Sequence, residues 1–153
     1  MFKYKQVFVF LYFIVYAPVS NAQPANIDSL QFIIKFNADN ASKVNAYKAL
    51  ANALLFKNFN ECQAAAIAGA VLAEKLKDPG SLAEFKKYTG LSWYFKGSYD
   101  SAAVYYYIAM DILKKTDAPS VKAGVLNELG KLYRKTRDLD RSLQMYNEAF
   151  VIY

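Results

Sequence analysis

The chain has 153 residues, of which 55% are hydrophobic, 16% aromatic and 21% charged, and its formal net charge is +6. This composition excludes a disordered tail, a collagen-like chain and a disulfide-rich scaffold. The chain has no histidine, one cysteine and no glycine-rich phosphate loop, which excludes Ser-His-Asp and Cys-His catalysis, histidine-ligated metals and thiolate zinc sites.

The first 22 residues have the pattern of a secretory signal peptide. Lys3 and Lys5 precede an apolar run from Val7 to Ala17, and small residues follow up to Ala22. This order predicts cleavage after Ala22 and an exported, periplasmic protein. The apolar run has eleven residues, well short of the roughly 20 that span a bilayer, so an uncleaved anchor is the less favoured alternative.

The chain left after cleavage has only a mild positive bias. Removing residues 1–22 removes two lysines and no acids, so the net charge falls from +6 to +4 over 131 residues. Nucleic-acid binding requires clustered basic stripes, which this charge does not supply. We therefore expect no direct contact with nucleic acid.

The rest of the chain repeats itself every 40 residues. Residues that share a position in the repeat agree in size or chemistry, and agreement at several positions indicates duplication. The aligned sets are Phe59, Tyr99 and Leu139; Asn60, Asp100 and Asp140; Cys62, Ala102 and Ser142; Gly69, Ala109 and Ala149; Gly90 and Gly130; Trp93 and Tyr133; Tyr106 and Tyr146; and Pro79 and Pro119.

Each period has the start and stop signals of two helices, A and B. Asn60, Asp100 and Asp140 are predicted N-caps of helix B, because their short side chains can accept a bond from an orphan N–H. Pro79 and Pro119 are predicted to end helix B. In the next segment, Ser81 to Glu84 reads as a capping box, and Ser120 is its counterpart one repeat later.

The small positions predict where helices A and B approach most closely. We expect Gly90 and Gly130 on helix A to face Ala102 and Ser142 on helix B. Large aromatic residues would fill the wider gaps beside these crossings. They are Trp93, Tyr106, Tyr133 and Tyr146.

The repeat contains Leu-Gly-x-x-Tyr, followed by an Asp, then a Ser or Ala, and then Tyr-x-x-Ala. This pattern resembles the tetratricopeptide repeat. This resemblance implies an all-α fold, a right-handed α-solenoid of antiparallel helix pairs. The usual period is about 34 residues, and a period of 40 also lies at the low edge of HEAT and armadillo repeats. We expect the extra length in helix B or in the linkers Lys75–Ser81 and Lys114–Val121. The best copy contains Leu129, Gly130, Tyr133, Asp138, Ser142, Tyr146 and Ala149; the copy before it contains Gly90, Trp93, Gly97, Tyr99, Ala102, Tyr106 and Ala109; the first is degenerate, with Leu50 and Ala66.

These signals divide the chain into a signal peptide, 1–22, and a repeat domain, 23–153. The domain contains a half repeat, 26–38, with Asp28 and Gln31 as its capping box, and full repeats at 41–78, 81–118 and 121–153. The last repeat stops within helix B at a largely apolar end, so we expect it to be truncated. Because terminal repeats need a polar face or cap, this helix is also a candidate surface for self-association.

The family resemblance places a partner-binding groove on the concave side, lined by helix A. Position by position, its residues here are Lys87, Tyr94, Asn127, Lys131 and Arg134. This mixture suits an acidic peptide with an apolar anchor. The alternative is that the aromatics pack between repeats and the cations form a solvated face. Further groove positions are Tyr47, Ala51, Leu54, Leu91, Phe95 and Lys135; Ala51 and Leu91 stand where a carboxylate-clamp asparagine is expected in some family members.

These features favour a non-enzymatic protein-protein interaction module without a cofactor or metal. Cys62 aligns with small core positions, which predicts a buried and inert thiol. Exported repeats of this length resemble the N-terminal sensory or scaffold part of longer bacterial signalling proteins, such as histidine kinases and LuxR-like regulators. In that setting a membrane contact would come only through a missing downstream segment. The alternative is a free-standing periplasmic scaffold or envelope-assembly factor.

Overall fold

The computed structural model describes residues 26–152, which form α-helices and no strand. The predicted leader, 1–22, and the terminal Tyr153 lie outside these residues. The expected all-α solenoid of antiparallel helix pairs is confirmed. No helix within 26–152 is long and apolar enough to cross a membrane. The helices are α1 (Ile27–Phe36), α2 (Ala41–Leu54), α3 (Phe59–Lys75), α4 (Pro79–Phe95), α5 (Tyr99–Leu113), α6 (Pro119–Lys135) and α7 (Leu139–Ile152).

The contacts between helices show which helices lie on the concave side of the solenoid and which lie on the convex side. Each helix packs on the next one in the chain, and α2 also contacts α4, which in turn contacts α6. Across the described residues, α3, α5 and α7 make no contact with one another. The A helices α2, α4 and α6 are therefore closer together and lie on the concave side, whereas the B helices lie on the convex side.

Most residues of the 40-residue period lie in helices, and few lie in the linkers. Helix α3 and the A helices α4 and α6 each have 17 residues. Only 76–78 and 114–118 stay outside helices between successive repeats. Of the two alternatives, a longer helix B or a longer linker, the 17 residues of α3 agree with the first. The second was wrong, because helix A begins inside the segments that we assigned to the linkers.

The caps of the B helices lie two residues earlier than the sequence indicated. The Asn58 side chain accepts hydrogen bonds from the backbone N–H groups of Asn60 and Glu61, at 3.1 and 3.2 Å. Two repeats later, Asp138 Oδ1 accepts from the N–H of Arg141 at 3.1 Å. The predicted caps Asn60, Asp100 and Asp140 instead lie in the first helical turn. There the carboxylates of Asp100 and Asp140 interact favourably with the helix dipole.

The prolines begin the A helices instead of ending the B helices. Pro79 and Pro119 are the first residues of α4 and α6, where a missing N–H costs nothing because that donor would be unsatisfied. The Asp78 side chain caps α4 by accepting from the N–H of Ser81 at 3.0 Å. Ser81 and Ser120 were therefore wrongly predicted as caps.

The N-cap of the half repeat also lies two residues earlier than expected. Asn26 caps α1, because its side-chain oxygen accepts from the N–H of Asp28 at 3.0 Å. Asp28 lies within the first turn, so the predicted capping box of Asp28 and Gln31 was wrong. Helix α1 packs on α2, and none of its residues is fully buried.

The predicted close crossings are confirmed. A Cβ added to Gly90 would lie 3.2 Å from the carbonyl oxygen of Ala102. The Ser142 hydroxyl donates to the carbonyl oxygen of Gly130 at 2.8 Å. Cys62, which shares this repeat position, is fully buried. The small residues thus allow helices A and B to pack closely in each of the last two repeats.

Candidate partner-binding groove

The concave side holds a cavity of about 250 Å³ between α2, α4 and α6. Three of the five predicted partner-binding residues, Lys87, Tyr94 and Lys131, line it. Asn127 is half-buried and Arg134 is exposed; both lie on α6, outside the lining of the cavity. The full lining is Asn52, Leu55, Phe56, Lys87, Tyr88, Leu91, Tyr94, Phe95, Glu128 and Lys131.

The further groove positions from the family resemblance divide into two groups. Leu91 and Phe95 line the cavity, while Lys135 is an exposed residue at the end of α6. Ala51 and Leu54 are 0% and 5% exposed, so their prediction as groove residues was wrong. They belong to the core, because they lie on the side of α2 that packs against the neighbouring helices. Tyr47 lines a separate cavity, beside α3.

The two lysines that line the groove, and Lys48 beside them, already have carboxylate neighbours. Glu84 lies between Lys48 and Lys87, with N–O distances of 3.5 and 3.8 Å. Lys131 is 2.8 Å from Glu128. Three ammonium groups therefore share two carboxylates, and one positive charge is left over on this surface. The groove is mildly cationic, and its charges are held in place before any partner arrives.

An aromatic cluster forms one end of the groove. The ring of Phe56 is 75% exposed and meets the ring of Phe95 edge-on, with centroids 5.1 Å apart. Phe95 also stacks on Phe59 at 5.6 Å and meets Tyr94 edge-on at 5.5 Å. Tyr94 in turn lies 5.5 Å from Tyr99. These contacts hold Phe56 at the edge of the cavity although most of its ring is in water.

Sequence reasoning missed Phe56 and Phe59. The first repeat lacks the family's glycine and tyrosine, so its residues could not be assigned to the groove through the motif. One signal was available, because Phe59 aligns with Tyr99, and both follow a turn directly. An aromatic at this repeat position borders the end of helix A and can pack on Phe95.

Tyr88, which lines the groove, and the buried residues Tyr106 and Cys62 stay neutral at physiological pH. Burial, with smaller effects of Glu84 and Cys62, raises the pKa of Tyr88 to about 12. Burial also raises the pKa of Tyr106, with contributions from Glu128 and Tyr94. The pKa of the Cys62 thiol is raised by burial as well, which keeps it protonated and a poor nucleophile.

The groove therefore offers aromatic surface, hydrogen-bond donors and fixed charges for binding. Within residues 26–152, no group of three or more His, Cys, Asp or Glu side chains could hold a metal. A larger cavity of about 580 Å³ lies at the end of α5, beside Pro79. Five of its six lining residues come from the end of α5 and the linker after it, whereas the groove collects residues from three helices. The groove is the better candidate for recognition.

Comparisons with known proteins support the fold. No family model matches the chain, and no curated protein matches it. Its structure is similar to the crystal structure of BtubC (BKLC) from P. vanneervenii, with a TM-score of 0.64 and 18% sequence identity. The match covers 82% of this chain and 52% of that chain. The chain thus spans about half the length of that protein, and the likeness shows a shared fold.

Proposed function

We propose that this chain is a non-enzymatic protein-interaction module, built from tetratricopeptide-like repeats, whose concave groove binds a segment of another protein. The observation that carries the proposal is the exposed ring of Phe56, fixed at the edge of the cavity by Phe95. Exposed apolar surface beside a preformed cavity marks a candidate interaction site, and large aromatic side chains that become buried on binding are the usual anchors of such interfaces.

The partner has an apolar anchor and an acidic flank. The apolar side chain packs against Phe56 and Phe95, at the end of the groove formed by α2 and α4. The acidic group lies toward α6, where Lys131 remains 47% exposed despite its pairing with Glu128. Arg134 and Lys135 extend the positive charge along the same helix. A basic segment would meet like charges there, which disfavours it.

The repeat family and the cellular location are part of the same proposal. The constant helix spacing and the glycine-tyrosine contacts support tetratricopeptide-like repeats. The leader-like residues 1–22 support a role outside the cytoplasm. The resemblance to exported regions of signalling proteins supports a sensory or scaffold role within a longer protein, with a free-standing periplasmic scaffold as the alternative.

Selection from a displayed library of random 12-residue peptides tests the function. We expect enriched sequences with a large apolar residue near an acid, and weaker binding to Phe56→Ser and Lys131→Glu. The matched controls are Phe36→Ser, on an exposed ring of α1, and Lys114→Glu, on a lysine paired to Asp111 at 2.7 Å. Binding by enriched peptides that is unaffected by both groove variants, or a failure to enrich any sequence, would contradict the proposal.

A further inference from the structure

A cavity of about 260 Å³ lies where the linker before α2 meets the last turns of α3. We call it the lysine cavity, and it is lined by Asp39, Lys43, Tyr47, Ala68, Val71, Leu72 and Lys75. It shares no lining residue with the concave groove. Its volume falls just below the roughly 300–1,000 Å³ of sites for drug-sized molecules, so its occupant would be a small molecule or a single chemical group.

Asp39 joins the two lysines of this cavity. Its Oδ1 accepts a hydrogen bond from Lys43 Nζ at 3.1 Å, and its Oδ2 accepts one from Lys75 Nζ at 2.7 Å. The hydrogen bond from Lys75, followed by that from Lys43, lowers the pKa of Asp39, so the carboxylate stays ionised at neutral pH. Two ammonium groups thus share one carboxylate, and the cluster keeps one positive charge.

The two ammonium groups can donate more hydrogen bonds than they make. Each has three N–H groups. Within residues 26–152, Lys75 uses one, and Lys43 uses two, on Asp39 and on the carbonyl oxygen of Asn37 at 3.3 Å. The side chain of Lys75 is 65% exposed, so an anion can reach it. A carboxylate that accepts from both lysines would make charge-assisted hydrogen bonds, which are about twice as strong as neutral ones.

The rest of the lining selects the kind of anion. Val71 is 64% exposed and Leu72 is buried, and both contribute aliphatic surface to the cavity. An anion of single charge with an aliphatic body matches both the net charge of the cluster and this surface. A phosphate dianion carries more charge than the cluster offsets, and it has no apolar part to cover Val71. The lining therefore favours a carboxylate over a phosphate.

The fold of the later repeats does not require these lysines. In the second repeat, Pro79 and Ala83 stand at the positions of Asp39 and Lys43. Ala83 is 0% exposed, so helix A packs there with a small residue where the first repeat has a charged one. The third repeat also has a proline and a fully buried alanine at these positions. The first repeat thus contains a charged cluster that the later repeats fold without.

We propose that the lysine cavity binds a small aliphatic carboxylate. The carboxylate oxygens accept hydrogen bonds from Lys43 and Lys75. The aliphatic body packs on Val71 and Leu72, in place of water. This group occurs both on free short-chain acids and at the end of a polypeptide. The inference does not rest on the function proposed for the groove, because the two sites have no residue in common.

A titration of the full chain with sodium hexanoate, followed through amide NMR shifts, tests this inference. We expect saturable shifts at residues 39–43 and 71–75. Hexanol and hexylamine keep the aliphatic body but lack the anion. They should bind about tenfold more weakly or less, because a hydrogen bond to a charged group contributes about that factor.

Two variants change the site without changing the core. Lys75→Gln removes one ammonium group, and Val71→Asp places a like charge beside the ligand, so each should weaken hexanoate about tenfold. Both side chains are largely exposed, so the melting temperatures should stay close to that of the wild type. The matched controls are Lys115→Gln, at the position of Lys75 in the second repeat, and Val104→Asp, on a valine of α5 that is 57% exposed. Both controls should bind hexanoate as the wild type does.

N-acetyl-leucine presents the same carboxylate at the end of a peptide unit and separates the two sources of the ligand. Tighter binding of N-acetyl-leucine than of hexanoate would support the inference with a chain terminus as the ligand, and the reverse would support it with a free acid. Shifts that do not saturate with either compound would overturn it. Hexanoate binding that is unchanged in both variants, or hexanol binding of equal strength, would overturn it as well.

Discussion

The ring of Tyr146 on α7 lies directly against Gly130 on α6, so closely that a Cβ added to the glycine would come within 2.7 Å of Tyr146 Cε1. One repeat earlier, Tyr106 covers Gly90 in the same way, at 2.5 Å. Each glycine provides the space for one ring, and the pair sets the distance between helices A and B.

The first repeat reverses this pairing. Leu50 stands at the glycine position of helix A, and Ala66 stands at the tyrosine position of helix B. Both are buried, at 7% and 0% exposure. The larger residue of the pair thus stands on helix A in the first repeat and on helix B in the two later repeats.

Replacing Gly90 with alanine should destabilise the protein by about 1–3 kcal/mol, as overpacking of a core does. Tyr106 is 0% exposed and cannot withdraw, so the clash outweighs the helix propensity gained. Gly130→Ala should cost less, because Tyr146 is only half-buried and can move outward. Guanidinium denaturation measures both, and a Gly90→Ala protein as stable as the wild type would contradict the close packing.

Ala102→Arg should cost several kcal/mol, since Ala102 is 0% exposed and an unpaired buried charge is among the most damaging changes. Val104→Arg on the same helix is the matched control, because Val104 is 57% exposed. Its stability should stay within about 0.5 kcal/mol of the wild type. Equal melting temperatures for the two variants would mean that Ala102 does not lie at the crossing.

Lys131→Glu should leave the melting temperature nearly unchanged, because exposed ion pairs such as Lys131–Glu128 contribute about 0.2–1 kcal/mol. The same change should weaken a bound acidic peptide about tenfold, since it places like charges in the groove. Fluorescence anisotropy with a labelled library peptide measures the affinity. Lys114→Glu, which reverses a similar pair with Asp111, should bind as the wild type does.

Asp78 should contribute to the acid limb of the stability curve. Burial acts to raise its pKa, but the bonds from Ser81, the charge of Lys48 and the N–H of Gly80 outweigh it, and the pKa is lowered overall. A lowered folded pKa stabilises the protein above the unfolded value, about 3.9, and this contribution is lost as the pH falls further. Asp78→Asn keeps a cap without a titrating group.

Denaturation at several pH values separates these effects. Between about pH 4 and pH 2, Asp78→Asn should lose less stability than the wild type. At neutral pH, Asp78→Ala should cost about 1 kcal/mol, the usual value of an N-cap. If the asparagine variant and the wild type lose stability equally in acid, Asp78 does not have the lowered pKa that its hydrogen bonds imply.

Periodicity predicted the helices, but local propensity misplaced their first residues. The 40-residue spacing appears in the starts of α3, α5 and α7, at Phe59, Tyr99 and Leu139. Asn58 and Asn60 are equally good cap formers, so composition could not separate them. The preceding turn decides which of the two is the cap. The N–H of Asn58 bonds to the carbonyl of Leu54 at 2.8 Å, so the turn ends at Asn58 and the helix begins at the next residue.

Three of the five predicted partner-binding residues line one cavity, and the details of this cavity depend on contacts between distant residues. Lys87 and Lys131 could be assigned through the motif. The position of Lys48 beside Glu84, at 3.5 Å, joins two repeats, and no local pattern encodes it. The exposure of Phe56 likewise depends on how α2 packs on its neighbours.

Photo-cross-linking from inside the groove tests directly whether a peptide binds there. A benzophenone amino acid replaces Phe56 in one protein and Val104, on the convex side, in another, and each is irradiated with a labelled library peptide. We expect a covalent adduct from position 56 and none from position 104. An adduct from position 104 of equal yield, or none from position 56 while the peptide is bound, would contradict this expectation.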